Sequence, residues 1–337
     1  MQRILVVLPN WFGETLFATP FLRALREQKP EFFLAVLGRP QTHEVLLGNP
    51  FIDVLLAFDE AGRHHGLIGK YRLIRQLREQ KFDTVFILRR SLSRTFLMAC
   101  AGIPTRIGFS NGKSGWLLNW CVKPPQGRMH KSHTYQPLLE AVGLTAAQSS
   151  TYDYTVTELE RIEAADLLNQ HRLKSGFALL HIGANWFHKR WPLERFAALA
   201  DQLIEKQSMQ VAITGGPDEV KDAETVQQSM RNPAVMLAGK TSLRQLAACC
   251  ERAGVMVAND TGVLHIAAAL KKPVVALFGP TDPAITGPLG EPSKTVVIHH
   301  PDSCPKIPCY EPDTPPHAGM ARISVDEVYS AALKLLG

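Results

Sequence analysis

The stretch from 254 to 281 constrains the fold of this chain more than any other. Two short apolar runs, 255–258 and 274–277, have the composition of strands buried on both faces of a parallel sheet. Between them, a turn at 259–262 opens a small apolar helix over 263–270, and two lysines and a proline end that helix. The pattern predicts a β-α-β unit, and therefore an α/β chain built on parallel sheets.

Polar residues follow both strands of this unit. Ligands of open α/β sheets bind at the carboxyl ends of the strands, so the turn is a candidate site. Thr261 and Gly262 open the helix with free backbone N–H groups and the positive end of its dipole, which favours a phosphate. Asp260 precedes them, and His265 lies one turn deeper on the same helix face as Thr261. The alternative interpretation is a capped crossover helix with a partly buried histidine.

Length and composition indicate a two-domain globular protein. The chain has 337 residues, of which 45% are hydrophobic and 20% are charged, as is typical of globular chains. No run approaches the ~18 to 20 apolar residues that a membrane span needs. The apolar run near the N-terminus is too short for a signal peptide and is predicted to be the first strand. We therefore expect a cytoplasmic protein.

The six cysteines predict neither a disulfide scaffold nor a metal site. Cys249 and Cys250 are adjacent on an apolar helix and are predicted to be core residues. Cys304 and Cys309, followed by His317, match no zinc spacing, so we interpret the two cysteines as loop thiols. We expect no metal and no other cofactor.

The net charge of +6 is divided unevenly along the chain. Residues 1–150 hold 19 Lys and Arg against 10 Asp and Glu, whereas residues 151–337 hold 18 against 21. A basic half beside a mildly acidic half indicates an anionic partner for the basic half. A phosphorylated lipid, a membrane surface or a nucleic acid would fit the charge. The chain lacks a nucleic-acid motif and interleaved exposed aromatic residues, so we expect no nucleic acid.

Alternating strands and helices make residues 1–155 one doubly wound, Rossmann-like domain. Its first strand is followed by a glycine-containing turn and a helix over 14–28, in which Pro20 predicts a kink or a break. This start lacks the G-x-G-x-x-G fingerprint of dinucleotide-binding domains. It nevertheless places Glu14 at a strand's carboxyl end. The alternative role for Glu14 is ordinary complementation of the helix dipole.

Basic residues accumulate at two further places in this domain. A helix within 66–80 carries several of them away from its apolar positions, which fits either a solvated face or a binding surface. Arg89, Arg90 and Arg94 follow a strand predicted over 83–88. Because ligands bind at the carboxyl ends of such strands, these three arginines are the stronger candidates for binding an anion.

The alternation of strands and helices restarts after a linker at 146–157. Thr157 and Glu160 form a capping box that opens a helix, and a second Rossmann-like domain is predicted over 156–320. A C-terminal helix occupies 321–337, and its packing on the first domain is left open.

Six motifs distributed along the chain occur in the order found in one known family. They are Gly13-Glu14-Thr15 with Thr19-Pro20, Lys189-Arg190-Trp191-Pro192, Gly215-Gly216-Pro217-Asp218-Glu219, Leu237-Ala238-Gly239-Lys240-Thr241-Ser242-Leu243, Asn259-Asp260-Thr261-Gly262-Val263-Leu264-His265 and Phe278-Gly279-Pro280-Thr281-Asp282. With these motifs the chain resembles the ADP-heptose:lipopolysaccharide heptosyltransferases of glycosyltransferase family nine. The opening turn and the loop 183–192 are most similar to the heptosyltransferase II branch. The resemblance implies a GT-B fold, with two Rossmann-like domains facing a central cleft.

The same resemblance implies an inverting, metal-independent reaction. It would transfer L-glycero-D-manno-heptose from ADP-heptose to the growing lipopolysaccharide inner core. Glu14 would be the catalytic base, at a position where the family usually has an aspartate, so the extra methylene changes the reach of the carboxylate. Lys189 would offset the charge of the departing diphosphate.

The other implied roles concern the two substrates. For the donor, they are phosphate contacts by Thr261, Gly262 and Asn185, sugar contacts by Asp260, a further donor contact by His265, a ribose contact by Glu219 and an adenine contact near Thr241. For the acceptor, Arg89, Arg90 and Arg94 would pair with phosphates or acidic sugars of the inner core. The basic half would also contact the anionic cytoplasmic face of the inner membrane peripherally.

Three alternatives stay open. The chain could be a heptosyltransferase I or another family-nine transferase with a different acceptor. It could be a GT-B-fold sugar-nucleotide epimerase, which would turn over the sugar nucleotide without an acceptor. A non-catalytic nucleotide-binding protein is the third alternative, and it would leave Glu14 and Lys189 without a role.

Overall fold

A computed structural model describes residues 2–113, 115–147, 149, 151–301, 307–309 and 319–337. The chain divides into two compact units, Met1–Asp153 and Tyr154–Gly337, whereas the sequence placed the boundary between residues 155 and 156. Both units are α/β, as expected.

The first unit is a six-stranded parallel sheet with helices. Its strands are β1 (Arg3–Val7), β2 (Phe33–Gly38), β3 (Val54–Ala57), β4 (Thr84–Ile87), β5 (Thr105–Phe109) and β6 (Trp120–Val122). Its helices are α1 (Phe12–Phe17), α2 (Thr19–Gln28), α3 (Pro40–Leu46), α4 (Gly66–Glu79), α5 (Leu92–Cys100) and α6 (Gln136–Glu140), with short 3₁₀ turns at Gly115–Leu117 and Lys131–His133. The strands lie in the order β3-β2-β1-β4-β5-β6, the Rossmann order.

The helix predicted over 14–28 is two helices. The first ends at Phe17, Ala18 joins them, and the second begins at Thr19 with Pro20 in its first turn. A proline is tolerated there because the N–H that it lacks would have no partner within the helix. Pro20 therefore marks a break, one of the two outcomes that the sequence predicted.

The second unit repeats the architecture of the first. Its strands are β7 (Ala178–His181), β8 (Val211–Thr214), β9 (Val235–Met236), β10 (Val255–Asn259), β11 (Val274–Phe278) and β12 (Thr295–His299). Its helices are α7 (Glu158–Gln170), α8 (Leu193–Gln207), α9 (Val220–Ser229), α10 (Leu243–Arg252), α11 (Gly262–Ala269), α12 (Pro283–Thr286), α13 (Gly319–Arg322) and α14 (Val325–Leu336), with 3₁₀ turns at Phe187–Lys189, Pro217–Glu219 and Pro292–Lys294. The order β12-β11-β10-β7-β8-β9 is the Rossmann order read from the opposite edge.

The sheet order fixes where each unit can bind a ligand. The chain leaves the two central strands of each sheet toward opposite edges, which opens a crevice at their carboxyl ends. This switch point lies between β1 and β4 in the first unit and between β7 and β10 in the second.

The central strands of both sheets are buried on both faces, as the apolar runs predicted. All five residues of β10 and of β11 are buried. The C-terminal helix α14 packs against α8 and against strands β10, β11 and β12 of its own unit. These contacts assign it to the second unit.

Candidate functional site

A cavity of 470 Å³ opens at the switch point of the first unit. Its walls come from the segments after β1, β4 and β6, with one residue of β5. They are Pro9, Asn10, Trp11, Glu14, Leu88, Arg89, Arg90, Phe109, Pro124, Pro125, Gly127, Met129, Thr134 and Tyr135. The cavity thus brings together Glu14 with two of the three arginines that the sequence singled out.

Glu14 is a half-buried carboxylate on the cavity wall, with 32% of its side chain exposed. It lies in the first helical turn after β1, where the helix dipole favours a negative charge. The Nζ of Lys131 lies 3.5 Å from its Oε1. Burial, and secondarily the charge of Glu14, raises the pKa of the neighbouring Tyr135 well above its usual range, so its phenol stays protonated. Glu14 is therefore the cavity's anionic group, held beside a cation.

Sequence reasoning did not single out Lys131. It lies 117 residues from its partner and was one of many basic residues in the first half. The lining aromatic Tyr135 was also missed, because nothing local in the sequence places a later loop beside the turn after β1. Proximity to Glu14 is a tertiary property that only the folded chain reveals.

The three arginines after β4 divide into two groups. Arg89 and Arg90 are exposed and line the cavity, and Arg90 donates through Nε to the carbonyl of Ser110 at 3.1 Å. Arg94 instead is buried in α5, where it pairs with Glu60 at 2.6 Å and lies 3.8 Å from the centroid of the Phe58 ring. Arg94 is therefore not among the residues that line the cavity, and its contact with the acceptor stays a prediction.

In the second unit, Lys189 and Asp260 meet across the switch point. Lys189 ends the 3₁₀ turn in the loop after β7, and Asp260 follows β10. The ammonium donates to Oδ2 of Asp260 at 2.6 Å, and the hydroxyl of Thr281 donates to the same oxygen at 2.7 Å. Two donors on one buried carboxylate oxygen fix both its orientation and that of the lysine. The distant motifs that contain these residues thus form one cluster.

Asn259 anchors the loop that carries Lys189. Its side chain is fully buried at the end of β10 and accepts from the N–H of Trp191 at 3.0 Å. Its amide donates to the carbonyls of Ile182 and Gly183 at 2.8 and 3.2 Å. Trp191 is itself buried and donates through its indole N–H to the carbonyl of Ile323 at 2.9 Å. Both ends of the loop are therefore fixed to the sheet.

The start of α11 lies beside this cluster. Thr261 is the N-cap residue and Gly262 the first helical residue, and the cap has no side-chain hydrogen bond. The backbone donors of this helix end are those that the sequence assigned to a phosphate. His265 is buried on the same helix, with Nε2 3.8 Å from Oδ1 of Asp260.

Glu219 ends the 3₁₀ turn after β8, and its carboxylate is also restrained by neighbouring groups. Its Oε2 accepts from the N–H of Gly216 at 2.6 Å, and Arg190 lies 3.5 Å from its Oε1. A Cβ on Gly183 would lie 2.0 Å from the same Oε2, so only glycine leaves room for this carboxylate. Arg190 also pairs with Asp222 at 2.8 Å, a connection that sequence reasoning missed.

His181 ends β7 beneath this region. It is buried, and its Nδ1 lies 3.1 Å from the hydroxyl of Thr214, which ends β8. Burial lowers its pKa to about 4, against the opposing effect of the charge of Glu219. The imidazole is therefore neutral at neutral pH.

Two donor candidates lie at the margin of this cluster. Asn185 is exposed in the loop that carries Lys189, and Thr241 is half-buried just before α10. Their assigned contacts with phosphate and adenine stay predictions, as do the other site roles.

No helix within the described ranges is long and apolar enough to cross a membrane. Among the described residues there is also no cluster of three His, Cys, Asp or Glu side chains that could hold a metal ion. Cys304 and His317 lie outside the described residues, whereas Cys309 is described and buried. Cys249 and Cys250 are buried core residues, as predicted.

The chain is similar to known proteins in both sequence and fold. The family model for glycosyltransferase family 9 (heptosyltransferase) matches residues 70–313. The lipopolysaccharide heptosyltransferase 2 of Escherichia coli K12 is 29% identical over 313 residues, covering 88% of each chain. A glycosyltransferase family 9 structure from Veillonella parvula has a TM-score of 0.90 at 26% identity and covers 99% of this chain and 97% of its own. The E. coli ADP-heptose heptosyltransferase II has the same fold, with a TM-score of 0.80 at 24% identity over 100% and 98% of the two chains.

Proposed function

This chain belongs to glycosyltransferase family 9, and from that premise we propose that it transfers L-glycero-D-manno-heptose from ADP-heptose to the lipopolysaccharide inner core, as a heptosyltransferase II-type enzyme. Its two Rossmann-like units are those of the GT-B fold. The acceptor-binding role falls to the first unit and the donor-binding role to the second.

The observation that carries the proposal is the first unit's cavity. Among the described residues, its walls carry the carboxylate of Glu14 and the two exposed guanidinium groups of Arg89 and Arg90. A transfer to a sugar hydroxyl needs a base at the hydroxyl, and an inner-core acceptor adds phosphate or carboxylate groups that need cations. The cavity supplies both kinds of group within one space.

Glu14 acts as the general base in this proposal. Its carboxylate takes the proton of the acceptor hydroxyl while the acceptor oxygen forms a bond to the anomeric carbon of the donor. The bond from that carbon to the diphosphate oxygen breaks, and ADP leaves with the electron pair. Attack on the face opposite to the leaving group inverts the anomeric configuration.

Lys189 and the start of α11 stabilise the departing diphosphate. Lys189 donates to Asp260 at 2.6 Å, and this contact positions its ammonium. The backbone donors at Thr261 and Gly262 add the positive end of a helix dipole. These groups can provide the charge stabilisation that a divalent ion supplies in other transferases, and we propose a reaction without metal.

We propose the remaining donor contacts for residues at the carboxyl edge of the second unit's sheet. Glu219 binds the ribose hydroxyls, the segment at Thr241 faces the adenine, and Asn185 reaches a phosphate. His265 and Asp260 contact the sugar side of the donor. Because Asp260 is buried and already accepts two hydrogen bonds through Oδ2, positioning Lys189 is a further role for this residue.

The proposed place of action is the cytoplasmic face of the inner membrane, with the protein bound peripherally. A lipid-anchored acceptor is presented at that surface, and the basic first half of the chain suits its anionic lipids.

Transfer is tested by mass spectrometry of truncated inner-core acceptors after incubation with ADP-heptose and, in parallel, with UDP-sugars. The expected result is one added heptose on an acceptor that already carries the first heptose, with no product from UDP-sugars. The Glu14→Gln variant is the matched control for enzyme-dependent product. Addition to an acceptor without heptose would indicate the heptosyltransferase I step. Conversion of the sugar nucleotide without acceptor would indicate an epimerase, and no turnover of any donor would contradict the proposal.

A further inference from the structure

Helix α4 exposes large apolar side chains at its N-terminal end. Leu67, Ile68 and Tyr71 are 86%, 72% and 63% exposed. The opposite face of the same helix packs normally, since Gly69, Leu73 and Leu77 are buried. We call Leu67, Ile68 and Tyr71 the α4 tip. Single exposed apolar residues are common on protein surfaces, but three of them within one helical turn indicate a binding surface.

The α4 tip projects from a well-formed turn. The carboxylate of Asp59 accepts from the N–H groups of Gly62 and Arg63 at 2.9 and 3.0 Å. The N–H of His64 donates to the carbonyl of Asp59 at 2.8 Å. A Cβ on Gly69 would lie 2.3 Å from the carbonyl carbon of His64, so the helix start rests directly on this turn. The tip is therefore held in its exposed position by local structure.

Basic residues surround the α4 tip. From Ala61 to Arg78 the chain contains five cations and no acidic residue. Arg63, Arg72 and Arg75 are exposed, and Lys70 is half-buried within the same stretch. An apolar end with a cationic surround is the composition of segments that insert into the interface of an anionic bilayer. Tyr71 adds an aromatic ring with a polar tip, a side chain suited to the headgroup region.

The α4 tip lies at the same edge of the sheet as the cavity. The strands of the first unit are all parallel, so their carboxyl ends share one edge. Helix α4 connects β3 to β4 and therefore begins at that edge. The cavity is lined by the segments that follow β1 and β4 at this edge.

We propose that the α4 tip and its surrounding cations dock the first unit onto the surface of an anionic lipid bilayer. The apolar side chains enter the boundary between headgroups and acyl chains, and the cations contact lipid phosphates. The purpose of such docking rests on the proposed function, because it would bring the acceptor cavity to a substrate that is anchored in the same membrane.

Charge favours a bilayer over a second copy of this chain. A second copy of this chain would bring the same cations against each other, which opposes self-association through this surface. An anionic lipid surface has no such conflict.

Docking is tested by co-sedimentation of the full chain with vesicles of phosphatidylcholine alone and of phosphatidylcholine mixed with phosphatidylglycerol. Binding is expected only to the mixed vesicles and should weaken with salt. A Leu67→Ser/Ile68→Ser variant should bind them at least about tenfold more weakly, since two apolar side chains lose their burial. A Lys70→Gln/Arg72→Gln variant should lose roughly fivefold for each cation, which corresponds to about 1 kcal/mol per charge.

The matched controls lie in the second unit. Leu159 and Ile162 are 66% and 52% exposed on helix α7, so Leu159→Ser/Ile162→Ser removes a similar apolar area elsewhere. Lys174 and Lys221 are exposed, and Lys174→Gln/Lys221→Gln removes two charges elsewhere. Both control variants should bind the mixed vesicles like the wild type.

Transfer to a detergent-free, water-soluble acceptor separates docking from catalysis. The α4 variants should keep wild-type kcat and KM on that acceptor. Failure of the wild type to bind the mixed vesicles, or equal loss in the α4 and control variants, would overturn the docking proposal whatever the transfer assay shows. A wild-type oligomer that dissociates in the Leu67→Ser/Ile68→Ser variant would also overturn it, since the tip would then be a self-association surface.

Discussion

Glu14 can be tested by a change that keeps its size and removes its charge. Glu14→Gln should lower kcat by roughly 10²-fold or more, because the acceptor hydroxyl loses its base. The affinity for ADP should change little, since the proposed nucleotide contacts are all in the second unit. Steady-state kinetics and calorimetric titration with ADP measure the two quantities.

Glu14→Asp is the informative companion of that variant. It introduces the aspartate that the family usually has, which keeps a carboxylate on a side chain shorter by one methylene. Partial activity is expected. Near-native turnover in Glu14→Gln would rule out the base assignment.

The role of Lys189 can be tested by removing its ammonium group. Lys189→Ala should weaken ADP-heptose binding and slow transfer together, because the ammonium contacts the diphosphate before and during its departure. Asp260 would then be a buried carboxylate that has lost its cation, so thermal unfolding must be measured alongside. EDTA should leave the wild-type rate unchanged. Strong inhibition by EDTA that a divalent ion reverses would show that the electrostatic role belongs to a metal.

The buried imidazole of His181 should make the stability of the folded chain depend on pH. Burial lowers its pKa to about 4 in the folded chain, from an ordinary value of 6.5. Between these values the unfolded chain binds more protons, so stability falls as pH is lowered through this window and is fully present above it. The full effect would be about 3 kcal/mol at most. Urea unfolding measures the difference in stability between the wild type and His181→Asn. This difference should shrink as pH falls from 6.5 to 4. A difference that is independent of pH would contradict the assignment of the effect to His181.

At the scale of elements, the loop after β7 depends on one glycine. A Cβ on Gly183 would meet the carboxylate of Glu219 at 2.0 Å, and this carboxylate is the flexible end of a side chain. Gly183→Ala should therefore displace Glu219 without unfolding the unit. ADP binding should weaken by about 10- to 100-fold, the loss expected for hydrogen bonds to a charged group. Calorimetry measures the affinity, and the thermal midpoint reports folding.

Gly13→Ala is the control for that variant. A Cβ on Gly13 would meet no atom within 4 Å, so the substitution adds a methyl group without a clash. ADP affinity should stay at the wild-type value. If Gly183→Ala also binds ADP normally, Glu219 is not a nucleotide contact.

The elements that could be predicted were those with a strong local signal. Strands such as β10 and β11 are continuous apolar runs that end in polar turns, and the capping box of Thr157 and Glu160 is present as predicted. The edge strand β12 was missed because its apolar run, 296–298, is only three residues long and its side chains are half-buried or exposed. The sheet order could be predicted only through the Rossmann-like fold assignment, since strand pairing depends on contacts between distant segments.

The residues of the candidate site also divide into those with a local signal in the sequence and those without one. Glu14, Lys189 and Asp260 were predicted because each lies just after a strand or in a family motif. The structure places Glu14 on the cavity wall and pairs Lys189 with Asp260, and their roles stay predictions. The burial of Arg94 against Glu60 could not be predicted, because a position after a strand does not reveal where a side chain points. Lys131 was overlooked for the converse reason, since its approach to Glu14 follows from tertiary folding alone.

At the scale of the whole molecule, charge should make the binding of the two substrates respond differently to salt. The first half of the chain is strongly basic and the second half is mildly acidic. Arg89 and Arg90 are exposed on the wall of the first unit's cavity, where salt can screen them. The donor contacts proposed in the second unit are few and local, and its central pair, Lys189 and Asp260, is largely buried and screened less.

The KM for a soluble, phosphorylated acceptor should therefore rise steeply with salt, while the KM for ADP-heptose should rise little. Arg89→Ala and Arg90→Ala should each raise the acceptor KM and spare the donor KM, because the planar guanidinium pairs bidentately with phosphate or carboxylate. Lys174→Ala, which removes an exposed cation from the second unit, should alter neither constant. An acceptor stripped of its phosphates should lose most of the salt dependence in the wild type. Equal salt sensitivity for both substrates, or unchanged acceptor kinetics in both arginine variants, would mean that the basic half is a solvated surface and that the cavity selects its acceptor by other contacts.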